Sequence, residues 1–232
     1  MRNVYLDHMA TTPLRPEVLD AMLPYFKEHF GNPLSLHQYG DAPRQAIEQA
    51  RGKVADLIGA QEKEIFFTAS GSEANNLALK GIAWANQKLG KHLVVSQIEH
   101  HSVLNSAQTL EKLGFEVTYL PVDRFGLVKP EQVAAAVRDD TILVSIIHAS
   151  NEIGTIQPIA EIARLVKGKK RGIYVHTDAV QTAGSIPVDV EALGVDLLSL
   201  AGSAFYGPKG SGALYIRRGT RIMPLLDGGI QE

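Results

Sequence analysis

The sequence predicts an α/β protein in which a mostly parallel, seven-stranded sheet is flanked by helices. Three observations lead to this prediction. From Glu64 onward, short apolar runs alternate with amphipathic segments of helical period. Most of the runs are apolar and rich in β-forming residues, which is typical of strands that are covered on both faces. With 45% hydrophobic residues in 232, the chain is also long and apolar enough to bury a sizeable core.

The chain is predicted to divide into an N-terminal helical segment, residues 1–60, and an α/β domain, residues 61–232, on which that segment packs. Pro16 suits the start of a first helix, because proline is favoured in the first helical turn. The motif Asp41-Ala42-Pro43 predicts the start of a second helix, and Gly59 is its expected C-cap.

The alternation after residue 60 predicts seven strands and five helices. The strands are expected at Glu64–Thr68, His92–Ser96, Phe115–Leu120, Ile142–Ile147, Ile173–Thr177, Leu197–Leu200 and Ala213–Arg217. The helices are expected at Ser72–Leu89, Ser102–Leu113, Pro130–Val137, Pro158–Lys167 and Val188–Leu193. The close spacing of the last strands leaves room for an antiparallel one.

Charge and composition exclude several classes of function. The chain carries 23 Lys and Arg against 25 Asp and Glu, so it offers no basic surface for nucleic acid or an anionic membrane. It has no cysteine, which excludes disulfides, thiolate metal sites and a cysteine nucleophile in these residues. The longest apolar stretch, Thr141–Ala149, is too short to span a bilayer. We therefore expect a soluble, cytoplasmic protein.

Polar residues follow most of the predicted strands. Because ligands of open α/β sheets bind at the carboxyl ends of strands, these loops are the place to look for chemistry. The loops are Thr68–Glu73, Ile98–His101, His148–Glu152, His176–Gln181 and Ala201–Ala204.

The small residues of Thr68–Glu73 lead from a strand into a helix, where free N–H groups favour a phosphate and Ser72 adds a hydroxyl donor. An ordinary helix capped by Ser72 explains the motif equally well, and the two interpretations stay open. The later Gly207–Gly212 lacks the Lys-Ser/Thr ending of a P-loop, so a turn is the better interpretation.

Asp178 follows an apolar strand, where a carboxylate needs a cationic or hydrogen-bonding partner. Taken alone, it is best explained as half of an ion pair or as a helix cap, and a protonated heterocycle would also serve. His100 and His101 would face opposite ways on a regular strand, so that one could stack on a ring. Their spacing does not fit a metal site.

The whole chain resembles the large domain of the cysteine desulfurases, which are pyridoxal-phosphate enzymes of the class V aminotransferase group. The motifs that carry the resemblance are Leu6-Asp-His-Met-Ala-Thr-Thr-Pro13, Phe30-Gly-Asn-Pro-Leu-Ser-Leu-His37, Glu99-His-His-Ser-Val103, Asn151-Glu-Ile-Gly-Thr-Ile-Gln157, His176-Thr-Asp-Ala-Val-Gln181, Tyr206-Gly-Pro-Lys-Gly210 and Gly228-Gly-Ile-Gln-Glu232. The resemblance implies a type I fold of the pyridoxal-phosphate-dependent transferases, a homodimer and the branch that supplies sulfur for iron–sulfur clusters. It also implies a sulfur-acceptor or iron–sulfur scaffold protein as partner.

The resemblance further implies roles for the polar loops. Gly71 and Ser72 match the family's phosphate-binding positions, and His100 matches an imidazole that stacks on the pyridine ring. Asp178 matches the carboxylate that keeps the ring nitrogen protonated. The last matches are Asn151 and Gln181, at positions that contact the phenolic oxygen and the substrate.

Three positions depart from the family pattern where the cofactor is attached. The family's Schiff-base lysine is Ala204 here, the adjacent histidine is Ser203, and a phosphate-contacting serine is Ala201. Lys209 belongs to the separate Pro-Lys-Gly motif, and we do not expect it to replace the lysine. Ser203 is kept as a cofactor-binding candidate, and pyridoxal phosphate is expected to be held non-covalently or to be lost.

The family continues beyond the match into a smaller C-terminal domain that carries the persulfide-forming cysteine, and that domain is absent from these 232 residues. The resemblance therefore predicts a cysteine desulfurase-like protein that is inactive on its own. Three alternatives stay open. They are a non-catalytic scaffold or partner-binding module, one half of a split desulfurase completed by a separate C-terminal domain, and an enzyme of another class that reuses the pocket.

Overall fold

A computed structural model describes residues 3–229 of the chain. Its centre is one seven-stranded sheet with the spatial order β1-β7-β6-β5-β4-β2-β3. The predicted α/β class is confirmed, and each predicted strand is present. The strands are β1 (Ile65–Thr68), β2 (His92–Ser96), β3 (Glu116–Leu120), β4 (Thr141–Ser145), β5 (Tyr174–Asp178), β6 (Leu197–Ala201) and β7 (Gly212–Ile216).

The antiparallel strand is β7, which pairs antiparallel with both β1 and β6. The other neighbouring strands are parallel. Because β7 is antiparallel to both β1 and β6, β1 and β6 run in the same direction. The carboxyl ends of the six remaining strands therefore meet at one edge of the sheet, as the choice of loops assumed.

The chain forms α-helices before and between the strands, and those with residues in the two hydrophobic cores cover both faces of the sheet. They are α1 (Pro16–Lys27), α2 (Gln38–Ile58), α3 (Gly71–Asn86), α4 (His101–Lys112), α5 (Pro130–Ala136), α6 (Ile159–Lys169) and α7 (Val190–Leu193). Alternate residues of one strand enter different cores: Leu93 and Val95 belong to the core that contains residues of α3 and α4, whereas Val94 belongs to the core that contains residues of α2, α5 and α6. This two-sided burial explains the uninterrupted apolar runs.

The second helix differs from its prediction at its start. It begins at Gln38 rather than at Asp41, so Pro43 lies inside the helix. Proline is tolerated there because the missing N–H would bond only the carbonyl of Tyr39, in the exposed first turn. The expected C-cap is confirmed, since Gly59 adopts a left-handed conformation with φ of 68°.

The N-terminal helix α1 contains no buried residue. Apolar side chains between residues 4 and 39 are exposed, among them Leu6, Phe26, Phe30 and Leu36. The division of the chain at residue 60 stays a prediction, although Ala55 and Ile58 of α2 belong to the same core as residues of the sheet.

Candidate functional site

A cavity of about 480 Å³ opens at the carboxyl edge of the sheet. Every residue that the sequence assigned to the site lines it. These residues are Gly71, Ser72, His100, Asn151, Asp178, Gln181, Ser203 and Ala204. A larger groove of about 1000 Å³ runs along β1 and residues 216–229, but none of the predicted site residues lines it. The smaller cavity is therefore the candidate site.

The N-terminus of α3 forms one wall of the cavity. Ser70, rather than Ser72, is the N-cap: its hydroxyl accepts a hydrogen bond from the N–H of Glu73 at 3.1 Å. The interpretation of Ser72 as the cap is wrong, because the helix begins one residue earlier than predicted. Within residues 3–229, neither the N–H of Gly71 nor the N–H or hydroxyl of Ser72 has a hydrogen-bond acceptor. They are free to bind an anion.

Gly71 is required by packing at this helix start. A Cβ at that position would lie 2.5 Å from Cγ2 of Val180 and 3.4 Å from the Cβ of Ala201. The missing side chain lets α3 begin directly against the turn that follows β5. The N-terminus of α3, which could bind a phosphate, and Asp178 therefore line the same cavity.

Asp178 is the last residue of β5 and is 4% exposed. Burial raises the pKa of its carboxyl, while hydrogen bonds from the N–H of Val180 and the amide of Asn75, and the nearby His100, oppose the rise. The ion pair expected for this residue is not found within residues 3–229. Nor does its carboxyl cap a helix, since its Oδ1 accepts from Val180 in a turn.

His100 caps α4 instead of lying on a strand. Its Nδ1 accepts from the N–H of Ser102 at 3.1 Å and lies 2.7 Å from the Ser102 hydroxyl. His101 begins the helix and is absent from the cavity lining. As expected, one histidine of the pair, His100, lines the cavity. It does so because it caps α4, and not because the two residues alternate along a strand.

Gln181 and Asn151 reach the cavity from two further loops. The side-chain amide of Gln181 donates to the carbonyl of Met9 at 3.1 Å, which brings the N-terminal segment to the cavity. Asn151 lies in the turn after β4, and its amide is 3.4 Å from Glu152 Oε1. Both side chains keep hydrogen-bonding capacity toward the cavity.

Ser203 and Ala204 lie on a single 3-10 turn, Gly202–Ala204, directly after β6. Thr12 holds this turn: its N–H and its hydroxyl donate to the carbonyl of Ser203 at 3.0 and 2.9 Å. The Nζ of Lys209 donates to the carbonyl of Thr12 at 2.9 Å and also lines the cavity. Ala204, the predicted position of the family's lysine, thus lines the cavity with a methyl group.

Sequence reasoning missed one polar residue that lines the cavity and one buried carboxyl that does not. Asn75 lines the cavity and contacts Asp178, and Glu99 is a buried carboxyl next to His100. Asn75 follows Gly71 by one helical turn, so the i, i+4 spacing on the predicted helix could have placed it beside the phosphate loop. The acidic residue before the two histidines carried no comparable signal.

No cluster of three or more potential metal ligands occurs within residues 3–229. Over the same range, no helix is both long and apolar enough to cross a bilayer.

Comparisons with known proteins show the family of the chain. Residues 4–231 match the aminotransferase class-V family. The chain is 59% identical over 231 residues to the cysteine desulfurase IscS of Dictyoglomus turgidum, and 58% identical over 229 residues to that of Methanosarcina thermophila. These matches cover 100% and 99% of this chain, but only 58% and 56% of the length of the two relatives.

Solved structures extend the similarity to the fold. A NifS-like protein superposes with a TM-score of 0.96 at 44% identity, covering 99% of this chain and 63% of the other. A structure described as SspA in complex with cysteine gives 0.95 at 42% identity, covering 99% of this chain and 66% of the other. On the match over residues 4–231, the chain belongs to the class-V aminotransferase family, and it resembles the cysteine desulfurases within it.

Proposed function

We propose that these residues form the cofactor-binding domain of a cysteine desulfurase-type protein that serves sulfur transfer and iron–sulfur cluster assembly. In this proposal the chain holds pyridoxal phosphate without a lysine bond and does not desulfurate cysteine on its own. The observation that carries it is the buried carboxyl of Asp178, which shares one cavity with the free N–H groups at the start of α3.

The donor set fits pyridoxal phosphate. The group has an anionic phosphate at one end and a ring nitrogen that becomes cationic on protonation. Gly71 and Ser72 offer unpaired donors for the phosphate, and Asp178 offers a buried carboxylate that forms no ion pair within residues 3–229. His100 supplies a ring that can stack, and Gln181 an amide that can donate to the phenolic oxygen.

The bound group would serve as an electron sink for a substrate amino acid, which is chemistry that belongs to the cofactor. The residues of the chain would bind, orient and polarise it. Asp178 would keep the proton on the ring nitrogen, and its burial strengthens that charge pairing, because water does not screen it. Ala204 carries no amine to attach the group or to move a proton at the substrate.

The reaction itself also needs a thiolate that these residues lack. With no cysteine in the 232 residues, the chain has no side chain on which a persulfide could form. The chain spans about 58% of the length of the IscS relative from Dictyoglomus turgidum. Desulfuration would therefore require a cysteine from another polypeptide or from sequence outside these residues, which is the split-enzyme form of the proposal.

A second candidate function is a non-catalytic, partner-binding module with the same fold. It is favoured by the apolar side chains exposed between residues 4 and 39, such as Phe26 and Phe30, each 70% exposed. In either form we propose a cytoplasmic homodimer with a sulfur-acceptor or scaffold protein as its partner. Sizing of the chain in solution tests the dimer.

A titration with pyridoxal phosphate tests the cofactor proposal. We expect saturable binding near one equivalent, a loss of about tenfold or more in affinity for Asp178→Asn, and little change for Asp189→Asn, a surface helix cap far from the cavity. Borohydride treatment followed by peptide mapping should leave no lysine modified. Absence of binding would favour the module, and a trapped lysine would refute the non-covalent site.

A further inference from the structure

The side-chain amide of Asn75 links the two groups that are proposed to hold the cofactor ring. Asn75 is 1% exposed and lies on α3. Its Nδ2 is 2.6 Å from Oδ2 of Asp178 and 2.8 Å from the hydroxyl oxygen of Ser102. Its Oδ1 is buried without a hydrogen-bond partner in the described part of the chain.

The direction of each hydrogen bond follows from the chemistry of its partners. An ionised carboxylate only accepts, so the amide must present its N–H₂ group to Asp178, and its second proton then goes to the Ser102 oxygen. The Ser102 hydroxyl in turn donates to Nδ1 of His100 at 2.7 Å. The backbone N–H of Ser102 also donates to Nδ1. Because Nδ1 accepts from both, the ring proton of His100 is assigned to Nε2.

We propose that Asn75 is a positioning residue that fixes the charge of Asp178 and the tautomer of His100 together. The proposal deepens the proposed function and rests on it, since these two side chains are the ones assigned to the ring. One amide thus orders donors and acceptors along the path Asp178–Asn75–Ser102–His100.

The amide favours the ionised state of Asp178 by its orientation. With the amide reversed, Oδ1 would face the carboxylate and the two oxygens would repel each other. Reversal would also leave the Ser102 hydroxyl without its donor. The titratable groups that act on Asp178 are His100, which lowers the pKa of the carboxyl when its ring is protonated, and Glu99, with which it interacts electrostatically. Neither of these two donates a hydrogen bond to the Asp178 carboxyl, so Asn75 is its side-chain donor.

Leucine in place of Asn75 keeps the shape of the side chain and removes both donors. Asn86→Leu is the matched control: it lies on the same helix, is also 1% exposed and also has an unpartnered Oδ1, but it bonds Ile82 and Arg221 away from the cavity. We expect Asn75→Leu to weaken pyridoxal phosphate binding about 10- to 100-fold, because a hydrogen bond to a charged group is lost. Asn86→Leu should leave the affinity within about threefold, at a similar loss of thermal stability.

The pH dependence of binding should move in a defined direction. The Asn75 hydrogen bond lowers the pKa of Asp178, so its removal raises that pKa further. As pH falls, Asp178 of the Asn75→Leu chain takes up its proton at a higher pH than the original chain, and binding should be lost at a higher pH. Equal affinities and superimposable pH profiles for the two chains would overturn the proposal.

A measurement without cofactor separates this inference from the proposed function. In the original chain, ¹⁵N spectra of the His100 ring should show the proton on Nε2, and Ser102→Ala and Asn75→Leu should reduce that preference. The single-atom change in Ser102→Ala provides the test if Asn75→Leu does not fold. An unchanged tautomer in both variants refutes the link, whereas absence of cofactor binding in the original chain refutes only the proposed function.

Discussion

The Oε1 atom of Glu99 accepts a hydrogen bond from the backbone N–H of Ile147 at 2.8 Å, so a buried carboxyl ties the loop after β2 to the loop after β4. The same oxygen accepts from the Ser96 hydroxyl at 2.5 Å. The second oxygen, Oε2, is buried without a partner in residues 3–229. Burial, joined by the nearby Asp178, raises the pKa of Glu99 to about 8.

The raised pKa of Glu99 predicts a loss of stability with rising pH. In the unfolded chain this carboxyl ionises near its ordinary value of 4.5, whereas in the folded chain it holds its proton to about 8. The folded state is therefore favoured below the lower value, and that stabilisation is lost as pH rises through the interval. Denaturant unfolding of Glu99→Gln should show a flatter pH dependence over the same interval. A slope equal to that of the original chain would contradict the assignment.

Gly71→Ala should impair both stability and binding. The new methyl group meets Cγ2 of Val180 at 2.5 Å, and valine has little freedom to move, so we expect a loss of about 1–3 kcal/mol in the free energy of unfolding. Pyridoxal phosphate binding should weaken because the start of α3 is displaced. Gly168→Ala, on the exposed side of α6 with no atom within 4 Å, is the control and should be neutral or slightly stabilising.

Thr12→Val should weaken the contact between the N-terminal segment and the 3-10 turn after β6. The change removes the hydroxyl that donates to the Ser203 carbonyl and accepts from the Tyr206 N–H at 2.7 Å. We expect a local cost of about 1–3 kcal/mol and faster amide exchange at Tyr206. The neighbouring Thr11→Val removes a buried hydroxyl oxygen without a partner in residues 3–229, and it should leave exchange at Tyr206 unchanged.

Ala204→Lys combined with Ser203→His should restore covalent attachment. The two positions follow β6 on the turn that lines the cavity, so a lysine there can reach a bound aldehyde. We expect borohydride to trap the cofactor on the new lysine, as mapped by mass spectrometry. Ala204→Arg combined with Ser203→His is the control, because a guanidinium adds length and charge without a primary amine. If the Ala204→Lys, Ser203→His variant binds the cofactor but borohydride does not trap it, the lack of covalent attachment has a cause outside these two positions.

The sheet could be predicted because its strands are buried on both faces. The run His92–Ser96 is apolar at its centre and is fully buried, so its ends were found without error. The edge strand β3 and the helix α2 were less well defined by sequence, since exposed positions weaken the apolar pattern. The start of α2 was misplaced because Pro43 is a strong helix-start signal that tertiary context overrode.

The membership of the cavity could be predicted, but its internal hydrogen bonds could not. Each candidate residue follows a strand or opens a helix, and parallel strands bring those points to one edge. The cap at Ser70 depends on where α3 starts, to within one residue, and sequence patterns do not fix helix ends that closely. The Asn75–Asp178 contact joins residues far apart in the chain, which no local pattern reports.

The 3-10 turn at Gly202–Ala204 is a different element from those that carry the groups proposed to bind the cofactor. In the proposed function, the groups that hold the cofactor lie at the start of α3, just before α4, at the end of β5 and in the turn after it, whereas Ala204, the proposed position of the family's attachment lysine, lies on the turn after β6. Cofactor binding and covalent attachment would then depend on separate parts of the molecule. A substitution at Ala204 alone would change attachment and leave the binding groups in place.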